Sequence, residues 1–427
     1  MALILTRVTL PRRECWRDVC RSFTVSGSPR NHRLLACLPY TSDIAARRLK
    51  LRITRKSVTL PIALTAVFGL TATACGSDSN EGSASSTTAA SGADATTTTG
   101  AATGLDIDYA SLTGTLNGSG SSFQDSLQQT IIGELAEVAP GLTVNYAKSG
   151  SSAGKADLAG NTVQFAGTDS LIKDEEQAKM AGDVLYIPIA AAPITISYNL
   201  PEVEELNLSA DLIAKIFQTE VTTWNDPAIA AENPDAELPD ATIAVVHRSD
   251  GSGTTNNFTK YLKKAAPEAW KLGSGDSVEW SPATMGAEKS SGVSSLIAST
   301  PGAVGYVDLA DSVSTKLQRA LVKNSAGNYI EPLLPNTSAA LDGAEIAEDL
   351  TYDPLNAGGE ETYPITAPTW VLVYVKQPSQ EVVDNLKGYL TYFLTEGQKI
   401  APTVGYAALP AALQEKALAQ LDKITVG

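Results

Sequence analysis

Residues 241–262 run from a buried strand through a Gly/Ser/Thr turn into a helix, and that junction limits what the chain can fold into. Ala241-Thr242-Ile243-Ala244-Val245-Val246 has the apolar, β-branched composition of a covered strand. Arg248-Ser249-Asp250-Gly251-Ser252-Gly253-Thr254-Thr255 follows it, and Phe258, Tyr261 and Leu262 then recur at helical spacing. A strand feeding a helix across such a turn belongs to an α/β fold, and it builds an anion site. Free backbone N–H groups and the positive end of the helix dipole converge there. Arg248 adds a planar fork suited to oxyanion oxygens. Asp250 is a negative charge in that site, and it fits if the ligand brings a proton for it to accept. Taken without a ligand, Asp250 is an Asx turn or helix cap and Arg248 a surface ion pair.

Composition narrows the chemistry. The four cysteines (Cys15, Cys20, Cys37, Cys75) all lie within the first 75 residues, and the histidines are His32 and His247. From Cys75 onward one cysteine and one histidine remain, which excludes a Cys/His zinc site and an internal disulfide there. Residues 1–74 hold 13 Lys and Arg against 3 Asp and Glu, leaving 19 against 44 for residues 75–427, a net charge of −25. That field repels a polyanion, so no nucleic-acid partner is expected. A small anion must be captured by local groups acting against the global charge, and Arg248 and Arg319 are the only arginines available.

Residues 51–74 read as an export signal: Arg52, Arg55 and Lys56, an apolar run over 58–70, and the small residues Thr71-Ala72-Thr73-Ala74 before Cys75. The run is too short to span a bilayer, which takes about 20 residues. The pattern resembles a bacterial lipobox with Cys75 as the lipidated residue, although Ala72 stands where Leu is usual. Residues 1–50 carry nine arginines and three cysteines without periodicity. They read as an extension upstream of a true start near 49–58. Residues 75–107 are Gly, Ser, Thr and Ala with a few acids, a flexible tether spanning roughly 30 Å.

Beyond 107, strand-like runs (142–146, 163–165, 192–198, 243–246, 303–307, 370–375) alternate with helical ones (125–137, 210–217, 256–265, 380–395). The alternation predicts an α/β fold of two domains, each a mixed sheet covered by helices. The expected division is a discontinuous first domain, 108–193 plus 319–427, with 194–318 inserted as the second. The acid-rich segment 345–361 reads as a solvated loop.

Three more turns repeat the chemistry of the first: Gly118-Ser119-Gly120-Ser121-Ser122-Phe123, Ser149-Gly150-Ser151-Ser152-Ala153-Gly154 and Gly167-Thr168-Asp169-Ser170. Each alone is an ordinary helix cap or turn. As an ordered set, joined by 216–229, Thr300-Pro301-Gly302-Ala303-Val304-Gly305-Tyr306-Val307 and Tyr363-Pro364-Ile365, they resemble the phosphate-binding lipoprotein of the bacterial phosphate-specific ABC transporter. The resemblance covers about 112–400. It implies a periplasmic-binding-protein-like (type II) two-domain clamp, a monomer, that closes on one inorganic phosphate and delivers it to a membrane-embedded ABC permease. It implies hydroxyls from Ser122 and Ser151, the Phe123 backbone N–H, and donors at Ser252, Gly253 and Thr254. By the same resemblance Arg248 pairs with phosphate and is held by Asp169, while Asp250 accepts the phosphate's proton. Gln124 departs from the family's usual Pro, and Thr219 from its usual Gly.

No motif calls for a cofactor, a metal or catalysis. A rival reading is a serine hydrolase, since Gly150-Ser151-Ser152-Ala153-Gly154 fits G-x-S-x-G with Asp169 and His247 following in order. A P-loop fails because Ala156 follows Gly154-Lys155. A nearer rival is a binder of another tetrahedral oxyanion, such as sulfate. Sulfate carries no proton near neutral pH, and a buried carboxylate would repel it.

Overall fold

The computed structural model describes residues 105–427. The expected extension, the leader with Cys75 and nearly all of the tether lie outside the described residues.

Strands β1 (Gly114–Gly120), β2 (Leu142–Ala147), β3 (Phe165–Thr168) and β4 (Val184–Tyr198) come first, followed by β5 (Asn207–Leu208). Next are β6 (Ala244–Arg248), β7 (Met285–Ala287), β8 (Ala303–Asp308), β9 (Gln318–Arg319), β10 (Leu321–Lys323), β11 (Tyr329–Ile330) and β12 (Thr366–Tyr374). The helices that matter below are α1 (Asp125–Val138), α2 (Ser151–Ala159), α3 (Asp174–Gln177), α4 (Ala210–Phe217) and α5 (Pro227–Glu232). Then come α6 (Gly253–Ala265), α7 (Lys289–Ser299), α8 (Leu309–Ser314), α9 (Leu334–Asp342) and α10 (Gln380–Leu394).

Local sequence explains most of these elements. Leu127, Ile131 and Leu135 recur every four residues and form the buried face of α1. Ser209, Ser252 and Ser379 each cap a helix by accepting a backbone N–H in its first turn. Asp226 caps α5, with Pro227 at its first position.

The strands form a mixed sheet in the order β2-β1-β3-β12-β4-β8-β6-β7, with β9 also on β4. β1 is parallel to β2 and β3, and β6 is parallel to β7 and β8, whereas β12 and β4 run antiparallel to their neighbours. β4 is the shared strand. Through Pro193 it pairs with β12, and from Ile194 it pairs with β8, so it belongs to two half-sheets.

The return expected at 319 falls at the end of β9. The chain pairs β9 with the end of β4, and β10 with β5 in a separate three-stranded sheet. It rejoins the first half-sheet through β12. In 345–361, Glu345, Glu348, Asp349, Asp353, Glu360 and Glu361 are exposed, while Leu350, Tyr352 and Leu355 anchor the segment in the core.

Candidate functional site

The four Gly/Ser/Thr turns lie at the carboxyl ends of parallel strands β1, β2, β3 and β6, where open α/β sheets present their binding crevice. They meet around Asp169. Its Oδ2 accepts from Ser121 Oγ at 2.5 Å and Ser151 Oγ at 3.4 Å, and its Oδ1 accepts from Thr369 Oγ1 at 2.6 Å. From the other half-sheet, Asn257 Nδ2 donates to the Asp169 carbonyl at 2.5 Å. Gly253 opens α6 against this cluster. A Cβ there would lie 2.6 Å from Ser151 Oγ and 2.8 Å from Asp169 Oδ2, so only glycine permits the approach.

Arg248, 3% exposed, ends β6 beside the turn. Its Nε and Nη2 donate to Asp250 Oδ1 and Oδ2 at 2.7 and 2.6 Å, a bidentate fork made possible by the two-residue spacing. This corrects the expected arrangement, because Asp250 and not Asp169 holds the guanidinium. Asp250 is filled further by Lys289, whose backbone N–H and Nζ reach Oδ1 and Oδ2 at 3.1 and 2.9 Å. Burial pushes the Asp250 carboxyl up, but Arg248 and Lys289 outweigh it and hold it at about 2. With four donors on two oxygens, Asp250 is poorly placed to accept a ligand's proton. Asp169 is different: burial pushes it up to about 6 against the pull of Ser121, Thr369 and Arg248.

Several donors in the same crevice have no protein acceptor. Arg248 Nη1 and Thr254 Oγ1 are buried without a hydrogen-bond partner. The N–H groups of Gly253 and Thr254 are the first two of α6 and have no acceptor within the helix. The other expected residues are engaged. Ser252 Oγ caps α6 by accepting Thr255 N–H at 3.2 Å, and Phe123 N–H donates to Ser121 Oγ at 3.0 Å. Ser122 Oγ accepts Ser290 N–H at 3.1 Å from the start of α7.

Sequence reasoning missed Lys289, Lys155, Asp276 and Thr369. Lys289 sits at φ +63° and its Nζ also donates to Ser149 O at 2.6 Å, bridging the two half-sheets. Its stretch Glu288-Lys289-Ser290-Ser291-Gly292 is a fifth turn of the same composition, and that was the available signal. Lys155, fully buried in α2, pairs with Asp276 at 3.1 Å and Glu176 at 2.9 Å. Asp276 also accepts from Ser152 Oγ at 2.7 Å and Asn256 Nδ2 at 3.0 Å.

The hydrolase grouping does not assemble. Ser152 Oγ donates to Asp276, and His247 stacks on Trp280 with ring centroids 4.7 Å apart. Among the described residues no group of three or more His, Cys, Asp or Glu is arranged to hold a metal ion.

A two-part sheet sharing one long strand, with oxyanion donors at the crevice, is the architecture of a solute-binding clamp, and the family model of the PBP superfamily domain matches residues 81–396. Phosphate-binding protein PstS 3 of Mycobacterium tuberculosis is 34% identical over 310 residues, 69% of this chain and 83% of the relative. Phosphate-binding protein PstS of Pasteurella multocida is 32% identical over 312 residues, 72% and 89% of the two chains. The chain belongs to this PstS family of phosphate-binding proteins. The phosphate-binding protein from Stenotrophomonas maltophilia shares the fold, with a TM-score of 0.58 at 19% identity over 72% of this chain and 93% of that one.

Proposed function

We propose that this chain is an extracytoplasmic receptor that captures inorganic phosphate and delivers it to the permease of an ABC importer. Cys75 carries its lipid anchor, the protein acts as a monomer, and it performs no covalent chemistry. Two lobes close on the anion by hinge motion: 108–193 with the chain from β12 onward, and the second half-sheet with the segments it pairs.

The observation that carries this reading is one crevice holding both unpaired donors and a buried acceptor. Arg248 Nη1, Thr254 Oγ1 and the first N–H groups of α6 supply charge-assisted donors for phosphate oxygens. Ser122 and Ser252, which accept backbone N–H groups, add hydroxyl protons, and Ser151 and the Phe123 N–H complete the set by turning from Asp169 and Ser121. Asp169 accepts the proton that phosphate still carries near neutral pH, and Asp250 aims Arg248. Sulfate brings no proton, so it would face Asp169 as a like charge, at a cost of several kcal/mol.

The test is calorimetric titration of the protein, dialysed free of phosphate, with phosphate and then sulfate near neutral pH. One-to-one phosphate binding without sulfate competition is the expected result. Equal binding of both anions would make the chain a general oxyanion binder, and binding of neither would end the receptor reading.

A further inference from the structure

Asp169 stands at the end of a one-way chain of buried hydrogen bonds. The Tyr389 hydroxyl donates to Gln128 Oε1, and Gln128 Nε2 donates to Gln124 Oε1 at 2.7 Å. Gln124 Nε2 donates to Thr369 Oγ1 at 2.7 Å, and Thr369 Oγ1 donates to Asp169 Oδ1 at 2.6 Å. All five residues are buried. Chemistry fixes the direction. Gln124 Nε2 also reaches the Trp370 carbonyl at 3.2 Å, and a carbonyl only accepts, so the amide nitrogen faces this way. Thr369 Oγ1 therefore accepts from Gln124 and has one proton left to give. Asp169 is the nearer and charged acceptor, since the alternative, Thr168 O, lies at 3.3 Å.

We propose that Gln124 and Thr369 are positioning residues that set phosphate-over-sulfate selectivity by holding Asp169 as a proton acceptor. The proposal rests on the receptor reading above and deepens it. Neither side chain needs to touch the anion. Their donors compensate the buried carboxylate on Oδ1, while Oδ2, which accepts from Ser121, lies beside Ser151 and Gly253 and is the oxygen that meets the ligand. Without that compensation burial wins, and Asp169 takes up a proton of its own. A protonated Asp169 is a donor and no longer repels sulfate. The other charged groups acting on it are Arg248 from β6, which favours the ionised form, and Asp276, which opposes it. Tyr146 and Tyr406 also surround it, and burial keeps both phenols neutral, well above their usual range.

The experiment titrates phosphate and sulfate onto the wild type, Thr369→Val, Gln124→Met and Thr369→Ser from about pH 5 to about pH 8. In the wild type, selectivity declines as pH falls through about 6. Thr369→Val and Gln124→Met should lose about tenfold in phosphate affinity near neutral pH. Their loss of selectivity should begin about one pH unit higher. Thr369→Ser, which keeps the hydroxyl, should follow the wild type. Equal weakening of both anions with an unmoved pH profile would overturn the proposal, and so would a Thr369→Ser profile shifted like that of Thr369→Val. If Thr369→Val does not fold, Gln124→Met against Thr369→Ser carries the same comparison. A wild type that binds no phosphate is told apart because it fails in the first arm, and it removes the receptor reading and this proposal together.

Discussion

At the scale of single residues, the site turns on how two carboxylates divide their work. Asp250 is spent on Arg248 and Lys289, whereas Asp169 is buried among the hydroxyls of Ser121, Ser151 and Thr369. Arg248→Lys replaces the fork with a point charge that cannot both pair with Asp250 bidentately and present a free N–H. Phosphate affinity should fall by at least about tenfold, corresponding to one charged hydrogen bond, in a calorimetric titration. An unchanged affinity would place Arg248 away from the ligand. For Asp169, burial raises the folded value to about 6 from 3.8. The folded chain therefore keeps this proton where the unfolded chain has lost it, and stability falls as pH rises through that window. Above it the buried charge costs up to about 3 kcal/mol. Asp169→Asn should raise the ligand-free Tm at about pH 8 and leave it near wild type at about pH 4. Equal shifts at both would mean the carboxylate is not the source. Thr219 carries a different strain: it holds φ +62°, which accounts for the glycine usual there.

At the scale of elements, α2 and the segment between α6 and β7 are tied by Lys155 and Asp276. The same aspartate accepts Ser252 N–H through its backbone carbonyl at 2.9 Å and Asn256 Nδ2 through Oδ1. It thus joins the N-termini of α2 and α6. Asp276→Asn leaves a buried ammonium with Glu176 as its one carboxylate. Denaturant unfolding should show a loss of about 3 kcal/mol, and phosphate affinity should fall with it. A change under about 0.5 kcal/mol would class the pair with surface ion pairs. The strands explain where periodicity misleads. The reading that began a strand at 192 missed the first half of β4, which starts at Val184 and carries Pro188 within it. The fold absorbs Pro188 with a bulge: Trp370 faces Pro188, Thr369 faces Ala190, and Ile189 is the extra residue. β1, Gly-Thr-Leu-Asn-Gly-Ser-Gly, has almost no strand propensity, and its place between β2 and β3 makes it a strand.

At the scale of the whole molecule, a chain segment with 19 cationic against 44 anionic residues must bind a dianion against its own field. Screening weakens that repulsion over about 10 Å at 0.1 M salt, while the buried contacts at Arg248 and α6 are screened far less. The association rate for phosphate should therefore rise with ionic strength, the reverse of an electrostatically steered receptor. Stopped-flow rates that fall with salt would show that a local positive funnel dominates. Across the crevice the two half-sheets meet in contacts of this polar kind: Ser122 with Ser290, Lys289 with Ser149, and Asn257 with Asp169. Such contacts break and re-form more readily than a packed apolar interface, which suits a clamp that must release its ligand.

The sequence alone determined the α/β class, the helices with clear caps and apolar faces, and the four turns at strand ends. Those features are written in short-range spacing, where 3.6-residue periodicity, capping serines and glycine turns act within a few residues. It also determined the excluded chemistries, since the one cysteine and one histidine of residues 75–427 cannot build a zinc site. Tertiary structure decided which partners each carboxylate has. Asp169 and Asp250 are alike as letters, and their difference comes from Thr369, two hundred residues from one, and Lys289, thirty-nine from the other. Pairing in space also decided where the chain rejoins its first half-sheet, because hydrogen-bond partners of a two-residue strand such as β5 leave no trace in local pattern.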